Sequence, residues 1–176
     1  MKQIITAFVA ISVLLTGCST VQSIVRSSFP YTATLIIPSS SNVNSTLSAR
    51  SSASSFDQIF TGKTTSNGNI KEVRISSAKI TASSPANQNL GVFRSIRVFI
   101  SQGDGSSEVL VANRTDISPN AGNSLVLDID NSKFLDAYLK SSSVRVRMEY
   151  TLKERLNVDL SVKASLGFSV SPGTTN

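Results

Sequence analysis

The chain has no histidine, no tryptophan and a single cysteine among its 176 residues. Each absence removes a class of chemistry. Without histidine there is no imidazole base, no Ser-His-Asp arrangement and none of the commonest zinc ligand. With one cysteine no disulfide can form within the chain, so hydrophobic burial must carry the fold alone. Only 16% of the residues are charged. Solubility therefore rests on hydroxyls, supplied by 33 serines and 14 threonines. The segment Gly103-Asp104-Gly105-Ser106-Ser107 is only superficially similar to a Gly-x-Ser-x-Gly nucleophile turn and reads as a loop tip. These residues predict a protein that is not an enzyme and carries no cofactor.

What is present begins at the N-terminus. Met1-Lys2-Gln3 gives a short basic start, and residues 4–14 are mostly apolar and uncharged. A helix over those eleven residues would span about 17 Å, against about 30 Å for a hydrocarbon core. Its length and flanks fit the apolar core of a signal peptide. It is followed by Leu15-Thr16-Gly17-Cys18. This tetrapeptide resembles the lipobox of bacterial lipoproteins: Leu, a small residue, Gly or Ala, then Cys. The resemblance implies that residues 1–17 are removed and that Cys18 carries diacylglycerol and further acyl chains such as palmitate. Each buried methylene adds about 0.8 kcal/mol, so two or three chains make attachment effectively permanent. Ser19, in place of Asp, resembles the sorting pattern for the outer membrane of Gram-negative cells. The implied location is the cell envelope, on an outer membrane and facing the periplasm.

Beyond Gly17 the chain has 159 residues, with 16 basic against 11 acidic. That length is enough for one domain with a real core. A basic balance permits contact with anionic head groups or acidic glycans, but it also serves colloidal stability alone. An anchored envelope protein would meet no nucleic acid.

Residues 18–30 read as a lipidated N-terminus and polar tether, 31–170 as the folded domain and 171–176 as a disordered tail. Residues 31–37 form a β-branched strand ended by Pro38. Val43, Leu47 and Ala49 fit either an edge strand or a loop. Ser55 and Gln58, with Phe56, Ile59 and Phe60, form a capping-box pattern for a short helix. Val73 and Ile75 alternate in one phase and Ala78, Ile80 and Ala82 in the other, which predicts a bulge near Ser76-Ser77. Ile96, Val98 and Ile100 share a face, and residues 102–106 turn the chain into another strand. Leu125, Leu127 and Ile129 alternate again. A second short helix follows, capped by Asn131 or Ser132, with Phe134/Tyr138 and Leu135/Leu139 as i,i+4 pairs.

The clearest pattern is at the C-terminus. Val144, Val146, Met148, Tyr150 and Leu152 alternate with Arg145, Arg147, Glu149 and Thr151. A second run carries Val158, Leu160, Val162, Ala164, Leu166, Phe168 and Val170. The two predict a long antiparallel hairpin. A loop of Arg155-Leu156-Asn157, with Asn157 at positive φ, would set Glu149 opposite Lys163 and Lys153 opposite Asp159.

Seven or eight strands and two short helices predict an all-β, antiparallel β-sandwich of immunoglobulin-like or Greek-key type, with a closed barrel as the alternative. Arg145, Arg147 and Lys163 form a candidate anion-contact patch, although basic side chains also guard a sheet from aggregation. Asp128, Asp130 and Asn131 could offer oxygens to calcium, but the spacing of a calcium loop is missing and helix capping is the preferred reading; no metal site is assigned. Cys18, the site of lipidation, is the one functional residue the sequence singles out. The expected function is a non-enzymatic, membrane-anchored domain that binds a protein partner or supports an envelope assembly. The alternative is a carrier holding a lipid or other apolar ligand in a cavity lined by Val146, Met148, Leu160 and Val162.

Overall fold

A computed structural model describes residues 27–52, 70–139 and 143–172. Nine strands form two antiparallel sheets packed face to face. They are β1 (Ser27–Ile37), β2 (Thr46–Arg50), β3 (Ile70–Ser84), β4 (Phe93–Gln102), β5 (Val109–Arg114), β6 (Ser124–Val126), β7 (Asp128–Ile129), β8 (Val144–Leu152) and β9 (Leu160–Pro172). One sheet has the order β1-β9-β3-β6 and the other β2-β8-β4-β5-β7. We call them the hydroxyl sheet and the arginine sheet after their outer faces. Both are open, so the fold is a sandwich and not a barrel.

Alternation builds the core. From β8, Val144, Val146, Met148, Tyr150 and Leu152 point inward; from β9, Leu160, Val162, Ala164, Leu166 and Phe168 do the same. Leu35 and Ile37 of β1 and Ile96, Val98 and Ile100 of β4 join the same cluster. Each large aliphatic or aromatic side chain so buried is worth about 1.5–3 kcal/mol. The phase change in β3 is a bulge: its register against β9 shifts between Ile75 and Ser77. Gly167 stands opposite Ser77, and a Cβ there would lie 2.4 Å from the serine Oγ.

The C-terminal hairpin does not form. β8 pairs with β2 and β4, whereas β9 pairs with β1 and β3. Residues 153–159 cross from one sheet to the other, and their Leu156 is buried at the sandwich end. Val158 lies in this crossing, more than half exposed. Asn157 is not among the residues with positive φ, which are Asn44, Glu72, Ser107 and Asp116 outside glycine. The expected charge pairs also dissolve. Lys153 donates from its backbone N–H to Val92 and from its ammonium to the Ile117 carbonyl. Asp159 accepts instead from the amide and hydroxyl of Ser39, at 2.8 and 2.9 Å. The physical reason is that a period of two states which face is apolar, not which strand lies alongside. Cross-strand charge pairs worth about 0.2–1 kcal/mol cannot choose against core packing.

Smaller differences have the same origin. The run 125–129 divides between sheets: β6 pairs with β3, Leu127 is buried between, and β7 pairs with β5. Val43, Leu47 and Ala49 resolve into a parallel bridge from Val43 to Leu152 and the edge strand β2. β1 starts at Ser27, inside the expected tether, and β9 extends to Pro172, inside the expected tail. The helix after residue 131 shrinks to one turn, α1 (Asp136–Leu139). The capping-box segment at Ser55 lies outside the described residues.

A short 3-10 turn over Leu90–Val92 fastens the loops at one end of the sandwich. The Asn89 carboxamide oxygen accepts from Gly91 N–H at 2.9 Å and from Gly122 N–H at 3.0 Å. A Cβ on Gly91 would sit 2.1 Å from the Pro119 carbonyl oxygen, a backbone atom that cannot swing aside. Gly91→Ala should therefore destabilise the fold by about 1–3 kcal/mol, measured by urea denaturation.

The strand assignment has its own test. A double-mutant cycle between Glu149 and Lys163 should give no coupling. The cycle between Glu149 and Arg97, whose charged groups are 3.1 Å apart, should give about 0.2–1 kcal/mol. Coupling in the first cycle and none in the second would restore the hairpin.

Candidate functional site

The outer face of the arginine sheet holds the densest polar constellation among the described residues. Register sets Arg147 of β8 between Arg50 of β2 and Phe99 of β4, and sets Glu149 between Ser48 and Arg97. The Arg147 guanidinium donates to both Glu108 oxygens at 2.6 Å, and to Glu149 Oε1 at 2.8 Å. Arg97 closes the network on Glu149 Oε2 at 3.1 Å. Beneath them lies Phe99, with Arg147 4.2 Å and Arg97 5.1 Å from its ring centre. An outward phenylalanine thus becomes nearly buried under two guanidinium groups.

Electrostatics follow from this geometry. The hydrogen bonds from Arg147 hold the Glu108 carboxyl below its ordinary range, outweighing a smaller opposing effect of burial. Glu108 and then Glu149 hold Arg147 in its charged form still more firmly than usual. The Tyr138 hydroxyl donates to the Ser107 carbonyl beside this network, and burial, with the Glu108 charge, raises its pKa. The network ties the start of β5 to β8 and β4, with Arg97 at its exposed edge and the exposed Arg50 beside Arg147.

The candidate anion patch is not assembled. Arg145 and Arg147 share the arginine sheet, but Lys163 lies on the outer face of the hydroxyl sheet between Thr34 and Thr81. Arg147 is engaged by carboxylates, and Arg145 is half-buried with its Nε enclosed and without a hydrogen-bond partner among the described residues. The residues considered for calcium turn to other partners. Asp128 pairs with Arg114 at 3.2 Å, and Asp130 accepts from the hydroxyl and amide of Ser132, which lower its pKa. The Asn131 carbonyl accepts from Arg74 at 2.6 Å. The Gly103–Ser107 segment is a loop tip, closed by Gly105 N–H on the Gln102 carbonyl and by Asp104 on Ser106 N–H. Cys18 lies outside the described residues.

Val146, Met148, Leu160 and Val162 are fully buried in the shared core. A cleft of about 310 Å³ lies elsewhere, lined by Ser77, Lys79, Val126, Ser165 and their neighbours on the hydroxyl sheet. Sequence reasoning missed Glu108 and Phe99 as members of the arginine network. The signal was Val98-Phe99-Ile100, three consecutive apolar residues in an otherwise alternating strand, which marks an outward side chain with a cover of its own.

Because folding lowers the Glu108 pKa, ionised Glu108 adds stability that is fully present above its unfolded value. That contribution is lost as pH falls through the folded value. In urea titrations between about pH 6 and about pH 3, Glu108→Gln should lower the midpoint at the neutral end and flatten the acid-side fall. The wild-type and variant curves should converge in acid; parallel curves would show that Glu108 plays no part in the linkage.

No protein-family model matches the chain, and a search of curated proteins finds no match either.

Proposed function

We propose that this chain is a non-enzymatic lipoprotein of the bacterial cell envelope, held to a membrane by acylated Cys18 and presenting a β-sandwich to a protein partner or envelope assembly. One observation carries the reading. Leu15-Thr16-Gly17-Cys18 ends a short, uncharged apolar run and stands nine residues before β1 begins at Ser27. A lone cysteine at that point has no intrachain thiol to pair with and needs none as an anchor. Ser19 directs the proposal to an outer membrane, with the domain on its periplasmic side.

The non-enzymatic part is supported by the absence of histidine from the sequence. It is supported too by carboxylates that the described structure engages with arginines, serines and backbone amides. Partner binding suits a domain whose two outer faces differ in chemistry. One is rich in serine, threonine and lysine; the other carries the arginine–glutamate network.

The test uses the full chain expressed in a Gram-negative host fed a labelled fatty acid. Wild-type protein should carry label and fractionate with membranes, and Cys18→Ser should lose the label. Label retained in that variant would show the lipobox reading to be wrong. Crosslinking and purification of the native lipoprotein should recover a recurring partner; recovery of none above background would count against the binding role.

A further inference from the structure

An anchor at Cys18, as proposed, would lie nearest the end of the sandwich where β1 starts. Register places that end. Ser28 of β1 and Arg74 of β3 both stand opposite Ser169 of β9. Arg74 is therefore level with the start of β1, two strand spacings, or about 10 Å, across the sheet. Beside it the backbone N–H of Leu135 donates to the Val73 carbonyl at 2.8 Å, fastening residues 131–135 along β3. Arg74 reaches the same segment through the Asn131 carbonyl.

Phe134 projects there, 53% exposed, with the Arg74 guanidinium 4.0 Å from its ring centre. Leu135, its neighbour, is buried. An apolar ring held outward by a buried neighbour, with a cation on its face, has the makeup of a side chain at a lipid–water boundary. Its ring can enter the acyl region while the guanidinium meets phosphate. The flanking sequence carries Lys71, Arg74 and Lys133 against Glu72, Asp130 and Asp136, so the seat has no excess of positive charge. The ring makes the contact; attraction to an anionic surface does not.

Of the other exposed large apolar side chains among the described residues, Val126 stands in the row of Thr32, midway along β1, and Ile36 and Val158 lie at the far end. Ile36 is nine residues along β1 from Ser27 and pairs with Ser161, close to Val158 in the chain. At about 3.3 Å per residue that distance is about 30 Å. The nine-residue tether from Cys18 to Ser27 spans at most about 30 Å. The far end therefore lies at the limit of that length, whereas Phe134, on the Arg74 row about 10 Å across the sheet from the start of β1, lies well inside it. A tethered contact works at high effective concentration, so one ring suffices to bias orientation.

We infer that Phe134, with Arg74 over its ring, is a second membrane contact that seats the β1-start end of the sandwich on the phospholipid interface. The inference rests on the proposed acylation of Cys18. Since the chain has no tryptophan, Phe134→Trp places a unique fluorophore at the contact and Val158→Trp a matching one at the far end. Both full-length lipidated proteins are reconstituted into phosphatidylcholine vesicles containing brominated acyl chains. The indole at 134 should emit at shorter wavelength than in the same protein denatured in urea, and bromine should quench it severalfold more than the indole at 158. Vesicle-bound protein with equal quenching at both positions, or none at 134, would overturn the inference while leaving the anchor intact. Protein that carries no acyl label and does not float with vesicles would overturn the anchor, and the inference with it. Arg74→Gln in the Phe134→Trp background should reduce the quenching; unchanged quenching would remove Arg74 from the contact.

Discussion

The fold depends on one packing constraint: the inner faces of two open sheets must close on each other with no covalent link between them. β3 and β9 are neighbours in one sheet, and β4 and β8 in the other. The connections from β3 to β4 and from β8 to β9 both cross between the sheets, so the four central strands interlock by connectivity as well as by contact. Tyr31 shows how closely the layers are matched. It is buried from the hydroxyl sheet, and its hydroxyl donates to the Val144 carbonyl of the arginine sheet at 3.2 Å. Buried polar groups of this kind are tolerated only when satisfied. Ser41 and Tyr150 meet the same demand by sharing a hydrogen bond at 3.0 Å.

That constraint also decides what happens outside. A strand that must show an apolar side chain to the core at every second position is free in its alternate positions, and the two sheets use this freedom differently. The hydroxyl sheet places Thr32, Thr34, Lys79, Thr81, Lys163 and Ser165 outward, small or flexible groups that water solvates well. The arginine sheet places a phenylalanine outward and then covers it. Arg147 provides that cover because a planar guanidinium can stack on a ring while its edge donates to carboxylates; a lysine ammonium could not do both. Network and aromatic ring stabilise each other, which is why the arginine at the centre is only 12% exposed at its side chain.

Local features of this structure were legible in the sequence, and long-range pairing was not. The faces of β8 and β9, the bulge at Ser76-Ser77 and the loop tip at residues 102–106 follow from alternation and turn residues, which act over a few positions. The partner of each strand is set by packing over the whole sandwich. β8 and β9 read as hairpin mates because both are regular and adjacent in the chain. Residues 153–159 are nevertheless long enough to cross about 10 Å between sheets, and Leu156 gains burial by making the crossing. The same blindness assembled Arg145, Arg147 and Lys163 into a patch, since placing Lys163 beside β8 required that hairpin. Phe99 and Glu108 are separated by the whole β4–β5 turn, and only the register brings the glutamate to Arg147.

Among the described residues the two ends of the sandwich are built differently, and the difference agrees with the proposed direction of attachment. At the end where β1 finishes, irregular segments are cross-tied. Asn89 bridges the loops around residues 90 and 122, Asp159 binds the turn after Pro38, and Arg94 donates to Asn44 at 2.9 Å. The hydrogen bonds from Ser39, led by its backbone amide, lower the Asp159 pKa and so keep that carboxylate charged and in place. Loops fixed in this way present one shape, and a preformed surface loses little entropy when a partner docks. The end where β1 starts instead offers an exposed ring on a segment hung from the edge of β3. A shapeless partner such as a lipid interface asks for no more than that, whereas a protein partner rewards the rigid end. With the proposed anchor at one pole, the 11-residue length of β1 that separates the poles would lift the ordered loops about 30 Å further from the bilayer, clear of the head groups and open to a partner.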